Sequence, residues 1–289
     1  MAELRRLWRT AENLGFDWIS VWDHFYSNPG GLDGSCFEAV ACQAALAATT
    51  SRVRVGSLVY SAGYRHPAVL AKSAVTIDHL SDGRLELGIG AGWHKSEYEG
   101  YGIPFESPGT RLRRLAEYVE IVRALWTNEV TSYQGEFYTL TEAYGAPKPV
   151  QQLPRIWVGA TGPKALQLAG RLGDAWNTSA VSPEEYARRL DIVRGAAPDP
   201  GRLTTGINFM YLDIPPGQFD EEIRRRAMNP ESPGLKDYLM LASDLDSVGE
   251  RISAYDKVGV DFIVLTQRAP FDYDALARFA EEVMPAFRS

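Results

Sequence analysis

The chain predicts an α/β fold of the (β/α)8 barrel type, on three observations. Short apolar runs with β character alternate with helical patterns along most of the sequence. Those runs are nearly continuous in Val, Ile, Leu and Trp, as strands buried on both faces of a parallel sheet must be. The alternation also persists across 289 residues, a length that a single barrel fills. A doubly wound open sheet would give much the same string. We read residues 1–289 as one domain with two inserts, a hairpin at about 128–153 and a lid at about 213–245.

In chain order, residues 2–15 read as a helix stopped by Gly15, and DWISVW (17–22) as the first strand. A helix over 35–49 precedes the strand RVRVGSLV (52–59). Residues 68–80 are helical, with Pro67 at the favoured start; RLELGI (84–89) is extended and 110–127 strongly helical. VTSYQGEFYTL (130–140) reads as a hairpin turning at Gln134-Gly135. RIWVGA (155–160), DAWNT (174–178), GINFMYL (206–212) and DFIVLT (261–266) are strands. Helices over 163–172, 183–195, 246–258 and 274–287 follow them in turn. The segment 213–245, with Pro215, Pro216, Pro230 and Pro233, reads as an excursion over the barrel mouth. Seven core strands result, and the first element is a helix. An eight-stranded barrel therefore calls for one more strand, either upstream of this sequence or from another segment.

A formal charge of −7 and a pI near 5.3 argue against nucleic acid or anionic membrane as the partner, because neither is attracted by an acidic field. No apolar run reaches the ~18 residues of a membrane span, and no apolar signal segment follows Met1. Cys36 and Cys42 lack zinc-ligand spacing, and no H-x-x-x-H or carboxylate cluster is present, so no metal is expected. A cytoplasmic location is expected.

Four segments carry candidate chemistry. In L-G-I-G-A-G-W-H-K-S-E-Y (Leu87 to Tyr98), Gly88, Gly90 and Gly92 miss both the G-x-G-x-x-G and Walker spacings. They read either as a tightly packed strand end or as the bare floor for a flat ring. In V-W-D-H-F (Val21 to Phe25), Asp23 and His24 close a strand, where a histidine beside a carboxylate can move a proton near neutral pH. Taken alone, such a dipeptide is more often a satisfied surface pair. In SLVYSAGYRHPAVLAK (Ser57 to Lys72), Arg65 and Lys72 could meet an anion or simply be solvated. In VGATGPKAL (Val158 to Leu166), a strand, Gly-Ala-Thr-Gly and an N1 proline present free N–H groups at a helix start, a phosphate site or an ordinary βα turn. His79 reads as a packing residue.

Together these segments resemble the luciferase-like monooxygenase superfamily, and within it the coenzyme F420-dependent oxidoreductases. The matching text is AENLGFDWISVWDHF, YRHPAVLAKSAVTIDHLSDGRLELGIGAGWHKSEYEGYGIPF, RLRRLAEYVEIVRALWTN, PRIWVGATGPKALQLAGRLGDAWN and VDFIVLT. The resemblance implies a (β/α)8 barrel with deazaflavin at its C-terminal mouth. By position it places Asp23 and His24 at the ring, with His24 as proton donor or acceptor. It puts Ser57 and Leu58 at a strand end that often holds a non-proline cis peptide. Gly90, Ala91 and Gly92 would line the pocket, and Gly159, Ala160, Thr161 and Gly162 would bind the coenzyme phosphate. Trp22, Tyr60 and Trp93 would shape an apolar or planar substrate pocket with the lid. Trp93 departs from the acid found there in some sugar-phosphate dehydrogenases of the family, and the family's first strand is the missing one.

The function expected is hydride transfer between deazaflavin C5 and a small organic substrate by a homodimer. The Asp-His pair, in place of the Glu-His that resembles the flavin monooxygenases, is what favours it. The alternatives are an FMNH2-dependent monooxygenase partnered by a flavin reductase, and a non-catalytic flavin- or deazaflavin-binding protein.

Overall fold

The computed structural model describes residues 1–27, 35–214, 218, 221 and 235–288. The helices are α1 (Ala2–Leu14), α2 (Ala39–Thr49), α3 (Pro67–Leu80), α4 (Lys95–Gly100), α5 (Pro108–Thr127), α6 (Pro163–Leu172), α7 (Pro183–Ala196), α8 (Leu235–Tyr238), α9 (Leu245–Lys257) and α10 (Tyr273–Arg278). The strands are β1 (Trp18–Val21), β2 (Arg54–Ser57), β3 (Tyr60–Ser61), β4 (Leu85–Gly90), β5 (Val130–Gln134), β6 (Thr139–Tyr144), β7 (Arg155–Gly159), β8 (Ala175–Ser179), β9 (Thr204–Leu212), β10 (Leu239–Leu241) and β11 (Phe262–Thr266).

The main sheet is parallel throughout, in the order β1-β2-β4-β7-β8-β9-β10, with β3 beside β4 and β11 beside β9. Parallel strands bring every C-terminal end to one rim, so Val21, Ser57, Gly90, Gly159, Ser179 and Thr266 end on the same side. Among the described residues β1 pairs only with β2, and β11 only with β9. The seam between them is bridged by rings, with Trp18 4.8 Å from Trp157 and 6.0 Å from Phe262.

The helices hold the sheet through inward faces that include Leu46, Leu70, Ile77, Tyr118, Val122, Leu190 and Ile252. Each such side chain contributes roughly 1.5–3 kcal/mol on burial. Helices α3, α5, α6 and α7 begin with proline, and Ser107 and Ser182 cap α5 and α7 by accepting from Thr110 N and Glu185 N. Low in the barrel, buried Glu86 accepts from Arg54, from Arg155 at 3.2 Å and from Trp157 Nε1 at 2.7 Å. At that end of a barrel such a network serves stability.

The hairpin insert is β5 with β6, an antiparallel pair in which Gln134 faces Thr139. Two expectations change. Leu239–Leu241, placed in the lid by composition, is a strand on β9, with Leu239 opposite Met210, because its apolar side chains join a small core of Met210, Leu212 and Ile214. This strand lies against β9 and does not fill the seam between β1 and β11. Pro215, Pro216, Pro230 and Pro233, and with them most of the expected lid, lie outside the described residues. The final helix is shorter than 274–287: α10 ends at Arg278 and wider and tighter turns follow.

Candidate active site

Asp23 and His24 follow β1 directly, yet their side chains do different work. Asp23 is buried, and Arg65 grips its carboxylate in a two-pronged pair at 2.7 and 2.8 Å. Ser61 N donates to the same carboxylate at 2.8 Å. Arg65 also reaches Glu38 at 3.0 Å. Burial alone would lower the Arg65 pKa, but hydrogen bonding to Asp23 reverses that and holds the guanidinium charged. Arg65, a possible anion contact from sequence, is thus engaged internally; Lys72 donates to the Ala146 carbonyl and His79 Nε2 to Lys148 O at 2.9 Å.

The carboxylate that serves His24 is Glu97, not the neighbouring Asp23. His24 Nδ1–H donates to Glu97 Oε2 at 2.9 Å, and the Tyr64 hydroxyl donates to the same oxygen at 2.8 Å. Phe25 N and Tyr26 N donate to Oε1 at 2.9 and 3.0 Å. Glu97 has no solvent exposure. Burial pushes its pKa up, but the hydrogen bond and charge of His24, with the Tyr64 and Tyr26 donors, hold it down at about 2. An ionised carboxylate only accepts, so His24 carries a proton on Nδ1 whether the ring is charged or neutral, and among the described residues no hydrogen bond engages Nε2. Burial and the bond to Glu97 push the Tyr64 hydroxyl far up, which keeps it a donor.

Rings surround the imidazole. Trp22, Trp93 and His94 stand at 5.5, 5.6 and 5.7 Å from His24, all near perpendicular. Trp93 is 60% exposed at the rim, available to a ligand, and Trp22 is half-buried. Tyr60 is fully buried; its hydroxyl bonds Gln43 beneath α2, so it packs the wall and does not face the mouth.

The glycines admit protein side chains. A Cβ at Gly88 would strike the Ser57 carbonyl oxygen, and Cβ atoms at Gly90 and Gly159 would come within 2.7 and 2.9 Å of Val59 Cγ2. Gly92, at φ +79°, leaves room for the Tyr98 hydroxyl. Val59 is therefore seated over Gly90 and Gly159, the close strand-end packing that was one of the two readings open from sequence. The peptide bond before Val59, Leu58–Val59, is cis, one position beyond the pair singled out in the sequence, and Leu58 and Val59 are half-buried. Ser57 is fully buried, its hydroxyl donating to Gly88 O at 3.1 Å.

These parts share one rim. Asp23 accepts from Ser61, Ser61 is the register partner of Gly90, and Gly90 is the register partner of Gly159. Gly159, Ala160, Thr161 and Gly162 then enter α6. Gly162 caps this ten-residue helix without a side-chain hydrogen bond, its first turn holds no acid, and a Cβ on Gly162 would meet nothing within 4 Å. Thr161 and Gly162 are exposed and Ala160 is buried. The helix start is open, and its N–H groups and dipole suit a phosphate. A half-buried floor of Leu58, Val59, Ala91 and Gly92 with this terminus fits a flat ring bearing a phosphate. Among the described residues no group of three or more His, Cys, Asp or Glu could hold a metal, and no helix is long and apolar enough to cross a membrane.

Glu97 escaped the sequence reading, and Tyr64, in the loop of the Ser57 to Lys72 segment, was given no role by it. The visible signal was an acid three residues after His94, but its partner lies 73 positions upstream.

A parallel barrel with a carboxylate-held histidine on its C-terminal rim defines an enzyme-like class of fold and site. The chain belongs to the luciferase-like monooxygenase family, whose model matches residues 1–216. It is 28% identical over 322 residues to the F420-dependent glucose-6-phosphate dehydrogenase of Nakamurella multipartita, covering 100% of this chain and 93% of that protein. It is 40% identical over 156 residues to an uncharacterized protein of Mycobacterium tuberculosis, covering 53% of this chain and 54% of that one. The aligned part thus spans about half the length of that relative. The fold matches an F420-dependent secondary alcohol dehydrogenase, solved with an F420–acetone adduct, at a TM-score of 0.86 and 23% identity, covering 99% and 94% of the two chains.

Proposed function

We propose that the protein is a coenzyme F420-dependent oxidoreductase that interconverts a small alcohol and its carbonyl compound. The observation that carries this is the His24–Glu97–Tyr64 arrangement, in which no hydrogen bond among the described residues takes up His24 Nε2, on the rim that also bears the open α6 terminus. Relatives named as F420-dependent enzymes support the choice of coenzyme.

When bound, deazaflavin supplies or accepts a hydride at its C5 carbon. Leu58, Val59, Ala91 and Gly92 would hold the ring, and the N–H groups around Thr161 and Gly162 the phosphate. His24 Nε2 takes the hydroxyl proton as an alcohol is oxidised, and returns it to the carbonyl oxygen in the reverse direction. Glu97 stabilises the imidazolium that forms, since the pair is buried and the carboxylate stays charged. Tyr64 and the Phe25 and Tyr26 amides keep Glu97 in place. Trp22 and Trp93 orient the substrate against His24 and exclude water. A second copy of the chain as partner belongs to the same proposal, tested by mass in solution.

The test is anaerobic mixing of the protein with reduced coenzyme and a panel of ketones, following coenzyme absorbance. Oxidation of the coenzyme that depends on the ketone supports the reading. Oxygen consumption with reduced FMN, and none of the former reaction, would replace it with the monooxygenase alternative.

A further inference from the structure

Arg268 lies two residues beyond β11, on the same rim as His24. Its guanidinium carbon sits 4.9 Å above the Trp22 ring, and Trp22 in turn stands 5.5 Å from His24. The guanidinium and the imidazole are therefore separated by at most about the sum of those two distances. Arg268 Nε is shut off from solvent and has no hydrogen-bond partner. Among the described residues no acid pairs with Arg268, and the ionisable group felt there is the Tyr238 hydroxyl.

Arg111 Nε is likewise without a partner, but its Nη1 donates to the Glu106 carbonyl, and the other enclosed arginines also have acceptors. Arg65 has Asp23 and Glu38, and Arg84 donates to the carbonyls of Ser81, Val53, Ala47 and Thr50. Arg54 has Glu86, Leu85 O and Gln151. Arg268 as a whole is half-buried, but a guanidinium Nε cut off from water with no acceptor is costly, and stacking on one indole compensates only in part. Burial accordingly pushes the Arg268 pKa down. Arginine presents a planar fork of donors that matches an oxyanion in two-pronged fashion.

We infer that Arg268 binds an anionic group of the substrate, so that the substrate is an oxo or hydroxy acid whose carboxylate rests on Arg268 while its carbonyl or hydroxyl faces His24. This rests on the oxidoreductase reading and refines it: the aromatic walls suggest an apolar substrate, and the guanidinium adds a requirement for negative charge at one end.

The experiment is calorimetric titration of the coenzyme-loaded protein with 4-oxopentanoate and with its methyl ester. The wild type binds the acid roughly 10- to 100-fold more tightly than the ester, the range a two-pronged charged pair supplies. In Arg268→Gln that ratio falls to about one while coenzyme affinity stays within twofold, and Arg268→Lys gives an intermediate ratio. A wild type that takes the ester as well as the acid overturns the assignment, as does an unchanged ratio in Arg268→Gln. Should Arg268→Gln fail to fold, the wild-type ratio and the Arg268→Lys value still decide. Titration with the coenzyme alone separates the two claims. A wild type that discriminates acid from ester but binds no coenzyme retains the anion site and loses the hydride reaction.

Discussion

Replacing Glu97 by glutamine removes one charge from a carboxylate that accepts four hydrogen bonds. If the amide oxygen keeps the Phe25 and Tyr26 amides, its NH2 group faces His24 Nδ1 and the Tyr64 hydroxyl, both of which are donors. Glu97 is held at about 2 against an ordinary 4.5, and a tenfold change in proton affinity is 1.36 kcal/mol, so the charged form contributes about 3 kcal/mol to the fold. A depressed carboxylate gives that contribution in full above the ordinary value and loses it as pH falls toward 2. In Glu97→Gln the loss at pH 7 is up to about 3 kcal/mol, the part owed to a charged His24 being absent while that ring is neutral, which is up to about 6–12 °C in Tm, and the acid limb of stability flattens. Urea unfolding of both proteins at pH 7, with a series down to the acid limit of folding, measures it. The variant also forces the His24 proton off Nδ1, so turnover falls even where the variant is fully folded. Equal urea midpoints at pH 7 with superimposable acid limbs would refute the assignment of Glu97 as the ionised anchor.

Three further outcomes follow from the same geometry. His24→Ala lowers turnover by roughly 10²–10⁴ with coenzyme affinity retained, measured by steady-state kinetics beside a binding titration; an unchanged rate removes His24 from proton transfer. Thr161→Asp puts an exposed negative charge beside the open α6 terminus and weakens coenzyme binding about tenfold, and wild-type affinity would place the phosphate elsewhere. Gly88→Ala drives a methyl into the Ser57 carbonyl and destabilises by about 1–3 kcal/mol, whereas Gly249→Ala, in α9 with nothing within 4 Å, stabilises by roughly 0.5–1 kcal/mol. Denaturant midpoints of the two variants shifting the same way would contradict the packing described around Val59.

The barrel's elements were legible because each is written in local periodicity. The strands DWISVW and RIWVGA and the helix at 163–172 lie within a residue or so of their expected limits. Leu239–Leu241 was not legible: three apolar residues at the end of a segment rich in Gly and Pro carry no period, and only β9 makes them a strand. Helix α4 was hidden for a related reason, being six residues long and rich in charge. Within the site, Asp23, His24 and the 159–162 turn were visible as strand ends followed by polar residues. Which carboxylate serves His24 was not, since adjacency in sequence favours Asp23 while successive side chains at a strand end point in different directions. Arg65 claims the first and Glu97 reaches the second. Val59 over the glycines and the lone Arg268 are likewise products of distant strands meeting.

The proposed coenzyme slot joins the His24 rim to the α6 terminus, and equilibrium titration of the purified protein tests it most directly. Oxidised deazaflavin and FMN are added separately while their fluorescence is followed, in the wild type and in Thr161→Asp. Saturable binding of deazaflavin, tighter than FMN and weakened in the variant, is the predicted result. No binding of either ring, or binding indifferent to Thr161, would contradict it.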